Sequence, residues 1–428
     1  MNKDKVKKSL TRFNVIYEDP YQIFLKYLKG ELTIHDIGQK SKNCQIYPET
    51  RSIIYRILLG ILPYNDPGSW KSKMELKRNE YTNKLNALLS KSNEIIPFIE
   101  CQSLKGSNEY ENLKVKIPSE DQELLSLIKL DVDRTFQELD LFHDVKVKSI
   151  LCKILYVFSK DNPSPSYCQG MNEILGTLFY AFVSSFRFNK FTKEEQEQNN
   201  NDKVTNEEML YSYLVDTNYI ENDLFIIYSE IMSRDITSLY RYNDDKYRNK
   251  EAEVKYDLRN LKQEELDASP ESDLLKRIKK IFYIELPIID KTYFEYLYEP
   301  IEPKLFLLRW ILCILDREIS LKHVLWIWDC VFYYEFIEFT FINKDKNTNK
   351  KINRLNFIDM ICLSMILDVK DLVYKGDQSI MLCRFMKFPN EKNIRKIIKK
   401  AVEIAPNFNG KIRIWNNEEA KKSKNFLI

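Results

Sequence analysis

Glycine is scarce: the 428 residues include nine, about 2% against the roughly 7% of an average protein. No two stand in G-x-G or G-x-x-x-x-G spacing, and the closest pair is Gly170 and Gly176. Dinucleotide turns and P-loops need glycine where backbone approaches a phosphate. The chain is therefore not expected to hold a nucleotide in a loop of its own. Histidine is rarer still. His35, His143 and His323 lie far apart, which excludes a His-rich zinc site and an H-E-x-x-H helix, so no metal is expected. No G-x-S-x-G elbow supports a triad built on one of them.

Excess charge is missing too. There are 66 basic and 63 acidic residues, a formal net of +3, which is no footprint for nucleic acid or an anionic membrane. The eight cysteines form no C-x-x-C pair and mostly sit in apolar stretches, the pattern of buried thiols in a reducing compartment. Met1 to Leu10 lacks an apolar core for a secretory signal. No run of 18 apolar residues occurs, and Arg309 interrupts Leu305 to Leu315. A soluble, intracellular protein without a transmembrane segment is expected.

What is abundant is helical periodicity. Ile53, Ile54, Ile57, Leu58, Ile61 and Leu62 recur at helix spacing, and Gly60 to Pro63 ends that segment. Further stripes run through Val147 to Phe158, Leu224 to Ile231 and Leu274 to Phe282. Leu305, Leu308, Ile311, Leu312 and Leu315 predict a wide core-facing stripe. Phe357 to Leu367, apolar nearly all round, predicts a central helix. Alternating strands with Asn-Gly or Asp-Gly turns are absent. The class is all-α. Three polar stretches, 192–206, 242–269 and 343–353, predict loops inserted between core helices.

Two segments could carry chemistry. In Ile128-Lys129-Leu130-Asp131-Val132-Asp133-Arg134-Thr135-Phe136, helical spacing makes Asp131 and Arg134 i, i+3 neighbours, so the carboxylate can aim the guanidinium. Alone, this is an ordinary surface ion pair worth under about 1 kcal/mol. In Asn162-Pro163-Ser164-Pro165-Ser166-Tyr167-Cys168-Gln169-Gly170-Met171-Asn172, prolines and serine precede an apolar run, the mark of a helix N-terminus. Gln169 then falls in or just before the first turn, and Gly170 permits close approach or an unusual backbone angle. Alone, this is a capped core helix.

Together, I-x-x-D-x-x-R and Y-x-Q-G-M, with 35 residues from Arg134 to Gln169, resemble the TBC domain of Rab GTPase-activating proteins. Arg51 to Pro63 resembles the family's opening helix. Pro303 to Asp329, with Arg309-Trp310, Arg317-Glu318 and Trp326-Ile327-Trp328-Asp329, resembles its third signature block. Trp70, Arg78 and Tyr81 suggest the subgroup associated with the endosomal retromer coat. The resemblance runs from about Arg51 to Pro406. It implies a bent all-α domain over 46–408, an N-terminal extension over 1–45 and a tail over 409–428.

The resemblance also implies a mechanism. A Rab small GTPase in its GTP form would bring the GTP and Mg²⁺, and this chain would supply Arg134 and Gln169 in trans as catalytic fingers. Asp131 would orient Arg134. Thr135, Tyr167, Gly170, Met171 and Asn172 would shape the glutamine loop or touch the GTPase. Arg317, Glu318, Trp328 and Asp329 read as framework, with Arg317 pairing Glu318 or Asp329, and Trp310 and Trp326 read as core. Gln137 stands where the family usually has proline after R-T-F, and Ile319 where an aromatic is usual; neither change removes a catalytic group. The implied setting is cytoplasmic, at endosomal or other vesicle membranes, reached through a Rab, retromer or another coat. The competing reading is a non-catalytic helical adaptor for a Rab or a coat subunit.

Overall fold

A computed structural model describes residues 19–101, 108–187, 204–243, 257–338, 340, 355–389 and 393–408. Among them every regular element is helical. The α-helices of six residues or more are α1 (Pro20–Leu28), α2 (Ile34–Lys42), α3 (Arg51–Leu58), α4 (Trp70–Leu89), α5 (Ile95–Glu100), α6 (Asn108–Lys116), α7 (Ser119–Asp133), α8 (Val145–Asp161), α9 (Met171–Arg187), α10 (Asn206–Leu214) and α11 (Ile220–Ile231). They continue as α12 (Gln263–Ala268), α13 (Asp273–Lys279), α14 (Lys291–Tyr298), α15 (Lys304–Leu312), α16 (Leu321–Ile337), α17 (Phe357–Asp368), α18 (Gln378–Met386) and α19 (Ile394–Phe408).

Local chemistry sets the ends of these helices. Thr33 and Thr205 cap α2 and α10, each in a reciprocal box with an acid three residues on. Asp144 caps α8 by accepting the Lys146 amide. Gly60, at φ +74°, turns the chain after α3. Packing does the rest. α9 lies at the centre, against α3, α7, α8, α11 and α16, while α16 also packs on α2, α17 and α19. α17 is buried on all sides from Phe357 to Ile366, as its uniform apolarity predicts.

Buried ion pairs cross-link the layers. Arg51 meets Asp329 through both ends of its guanidinium fork, at 2.9 and 2.8 Å, and Tyr55 donates to the same carboxylate at 2.8 Å. This joins α3 to α16. Asp223 on α11 takes Arg56 at 2.6 Å and Arg78 at 2.7 and 2.8 Å, tying α3 and α4 to α11. Arg277 pairs with Asp359 at 2.6 Å, joining α13 to α17.

Two expectations need correction. Leu305 is 52% exposed; the core-facing side of α15 carries Phe306, Leu307, Trp310 and Ile311. Apolar residues nearly encircle this helix, so spacing alone admits two registers. Ile311, Leu312 and Leu315 of the expected stripe are buried, but the chain leaves the helix after Leu312, with Ile314 and Leu315 both at positive φ (+47° and +68°), so Leu315 reaches the core from the turn. The polar stretch 242–269 is not all loop: α12 lies within it, with Leu266 on the helix and Leu261 just before it both buried. The stretch 343–353 and residues 192–203 lie outside the described residues.

Candidate functional site

Arg134 follows directly on the last turn of α7. Leu125, Ile128 and Val132 fix the buried face of that helix, which puts Asp131 inside at 1% exposure. Arg134, 47% exposed, reaches back to it with Nη2 2.6 Å from Asp131 Oδ1. In the turn beyond the helix Phe136 takes φ +43°, a conformation costly for an aromatic residue. It is held by α9 lying close behind. A Cβ on Gly176 would sit 2.8 Å from the Phe136 ring and 2.9 Å from Thr135 Cγ2, so only glycine lets α9 approach. Gln137, where proline would be usual, closes the turn by donating its side-chain amide to the Asp133 carbonyl at 3.1 Å. A proline has no such donor.

Gln169 is exposed and stands immediately before α9. Its loop is tied inward by its neighbours. The Tyr167 hydroxyl lies 2.8 Å from Asp131 Oδ2 and 3.1 Å from Asn172 Oδ1. Asn172 Oδ1 also accepts the Gly170 amide at 3.1 Å, and its Nδ2 donates to Thr135 Oγ1 at 2.9 Å. Thr135 in turn donates to the Asp131 carbonyl at 2.8 Å. The Cys168 amide donates to the Met171 sulfur at 3.3 Å, and Met171 is fully buried. Burial, with Asp131 beside it, drives the Tyr167 hydroxyl far above its ordinary pKa, so it stays a neutral donor. Asp131, Thr135, Tyr167, Gly170 and Asn172 thus form one buried hydrogen-bonded set that carries Arg134 on one loop and Gln169 on the other.

Gly170, at φ +101°, is walled by the turn after α15. A Cβ there would lie 3.1 Å from the Cys313 sulfur and 3.2 Å from the Tyr240 hydroxyl. Arg317, from the same turn, pairs with Glu173 in the first turn of α9 at 2.5 Å. The expected pairing of Arg317 with Glu318 or Asp329 is not the one formed: Glu318 takes Arg309, and Asp329 takes Arg51. Trp310 and Trp328 are fully buried, and Trp328 donates to the Ile314 carbonyl at 3.0 Å, fixing the turn. Trp326 is half-buried, beneath Arg395. Tyr240, Arg241, Glu173 and Asp316 belong to this neighbourhood without any local sequence signal, since their partners are distant in the chain.

Asp316 sits beneath α9, 4% exposed, facing Thr177 and Glu173. Burial pushes its carboxyl well above the usual range; the Thr177 hydroxyl opposes this, and the Glu173 charge adds to it. A raised folded-state pKa means that the folded protein holds the proton more tightly. This stabilising contribution is complete below the unfolded value near 4 and is lost as pH climbs toward the folded value. Asp316→Asn is therefore expected to raise the melting temperature at pH 8 by about 2 °C and to change it little at pH 4. Melting scans at both pH values decide it, and equal shifts at the two would contradict the assignment.

Among the described residues no group of His, Cys, Asp and Glu side chains has metal-binding geometry, and no helix is long and apolar enough to cross a membrane. A family model described as the Rab-GTPase-TBC domain matches residues 48–246 and 254–343. The chain is 22% identical to TBC1 domain family member 5 of Homo sapiens over 368 residues, covering 86% of this chain and 42% of that protein. It is 23% identical to GTPase-activating protein GYP1 of Saccharomyces cerevisiae over 279 residues, covering 65% of this chain and 34% of the other. The chain thus spans well under half the length of these curated relatives. The crystal structure of the Ypt/Rab-GAP domain of Gyp1p superposes with a TM-score of 0.58 at 18% identity, covering 89% of this chain and 96% of that one. That likeness concerns the fold.

Proposed function

The chain belongs to the Rab-GTPase-TBC domain family, and from that membership we propose that it is a GTPase-activating protein for a Rab-type small GTPase in its GTP-bound form. The observation that carries the reading is the pairing of two exposed side chains, Arg134 and Gln169, on one buried network. A GTPase holds its own nucleotide and Mg²⁺, so an activator needs only to add what the partner lacks. Phosphoryl transfer depends on positioning and charge stabilisation, not covalent chemistry. The Arg134 guanidinium would reach the nucleotide and neutralise charge developing between the β- and γ-phosphates. The Gln169 amide would orient the attacking water. The catalytic unit is taken as 46–408, with 1–45 and 409–428 outside it.

The subgroup resemblance supports an endosomal GTPase and an endosomal coat such as retromer as the setting, with membrane recruitment through those partners. Trp70, Arg78 and Tyr81, on which that resemblance rests, are all buried. They would mark the subgroup through its framework and not through a docking surface.

The test is single-turnover GTP hydrolysis by a panel of GTP-loaded Rab proteins with and without the chain. Acceleration of at least one member is expected. A chain that captures a GTP-loaded Rab yet accelerates none would overturn the catalytic reading in favour of a helical adaptor.

A further inference from the structure

We propose that Tyr240 and Arg241 are positioning residues for Gln169, gripping the glutamine loop from its two ends; this rests on the catalytic reading of Gln169. The loop from Asn162 to Gly170 connects α8 to α9, and the hydrogen-bonded set around Asn172 secures only its last residues. Its earlier part is held from another quarter of the fold. The Arg241 guanidinium donates to the Ser164 carbonyl at the loop's start. Tyr240, 6% exposed, places its hydroxyl beneath Gly170 at the loop's end and donates to the Leu312 carbonyl at 3.0 Å. Two consecutive residues thus touch both ends of the segment that bears Gln169.

The element carrying them is itself anchored. After α11 the helix widens into a π-turn over Met232–Ile236, then tightens through Thr237–Leu239 into the turn Tyr240–Asn243. A π-turn inserts a residue and rotates everything after it, a device common at functional sites. Arg234 pins it, donating to Glu335 at 2.8 Å, to the Leu59 carbonyl at 2.6 Å and to Glu230 at 3.1 Å. Opposite, the Leu312 carbonyl that receives Tyr240 precedes Ile314 and Leu315, two bulky residues in the left-handed region. Such angles persist only where the surroundings over-determine them. Gln169 is exposed, so its direction depends on the backbone beneath it. A loop fixed at both ends presents the amide in one direction before any GTPase arrives.

The experiment combines kinetics with hydrogen exchange on the full chain. Arg241→Ala is expected to lower stimulated kcat/KM about tenfold, since small misplacements of a catalytic group cost up to about a hundredfold. The loss should fall on kcat, and Arg241→Lys, which keeps one donor for the Ser164 carbonyl, should recover most of it. Tyr240→Phe keeps the ring under Gly170 and loses the hydroxyl, with about a threefold loss expected. In a Gln169→Ala background Arg241→Ala should cost less than about twofold, because coupling reports a shared route. In the free protein, Arg241→Ala should speed amide exchange over residues 166–171 while α8 and α9 stay protected. Unchanged exchange there, or an undiminished effect in the Gln169→Ala background, overturns the proposal. If the wild-type chain activates no GTPase, the catalytic reading fails by itself, and exchange still decides whether Arg241 holds the loop.

Discussion

Arg134→Ala is expected to lower GTPase stimulation by about 10³–10⁵-fold with only a small drop in melting temperature, about 2–4 °C. The two halves of that result have different causes. Arg134 is half-exposed and pairs with Asp131, so its removal withdraws the partner of one buried carboxylate oxygen and leaves the apolar core as it was. Its value lies in what it would meet on a partner, where a planar, permanently charged fork faces phosphate oxygens. Arg134→Lys separates charge from shape. Lysine keeps the charge but not the fork, and is expected to recover less than about a tenth of the lost rate. Single-turnover hydrolysis at saturating activator, beside a melting scan, checks both variants. Full activity in Arg134→Ala would remove the arginine finger from the mechanism.

The largest effect on stability is expected at Asp223. This one buried carboxylate serves two buried guanidinium groups, Arg56 and Arg78. Burial holds Arg56 down to about 10, against the pull of Asp223. Each cation also has neutral support: Arg56 donates to the Leu214 carbonyl at 3.0 Å, and Arg78 lies by the Tyr213 and Tyr219 rings at 4.4 and 4.2 Å and donates to the Tyr213 carbonyl at 3.1 Å. Asp223→Ala strands both cations and is expected to cost about 3–5 kcal/mol. Arg56→Met is expected to cost less, because Asp223 keeps its two-point contact with Arg78. Denaturant midpoints of the two variants order them. A smaller loss for Asp223→Ala than for Arg56→Met would show that the acid is not the keystone of the cluster.

The parts of this site that the sequence reveals are the local ones. Asp131 and Arg134 meet because residues three apart on a helix are neighbours, and that geometry is present in the string of letters. Gln169 before α9 is legible from the prolines and Gly170 for the same reason. The all-helical class follows from periodicity. The partner of Arg317 is not legible in the same way: three acids compete for it, and Glu173, 144 residues away, wins through tertiary placement that spacing does not encode. Tyr240 and Arg241 carry no motif at all, since they matter only because a π-turn rotates them toward a loop more than 70 residues earlier. The helix over Gln263–Ala268 hides in a charged stretch, where Leu261 and Leu266 supply enough burial that average composition conceals. On α15, Phe306 and Trp310 outbid Leu305 for the core because nearly every face is apolar.

Asp131 divides its two oxygens, one to Arg134 and the other to Tyr167 on the glutamine loop. The side chains that would do chemistry stand outside; their mounting is buried. Such a design fails asymmetrically. On the proposed function, a single change at either tip would silence the protein while sparing its shape, leaving a folded competitor for the same partner. A change at Asp131 disturbs both tips together and also leaves a cavity or an unpaired donor inside. Silent relatives of this protein would therefore be expected to arise by loss at the tips, with the mounting kept long after the activity has gone.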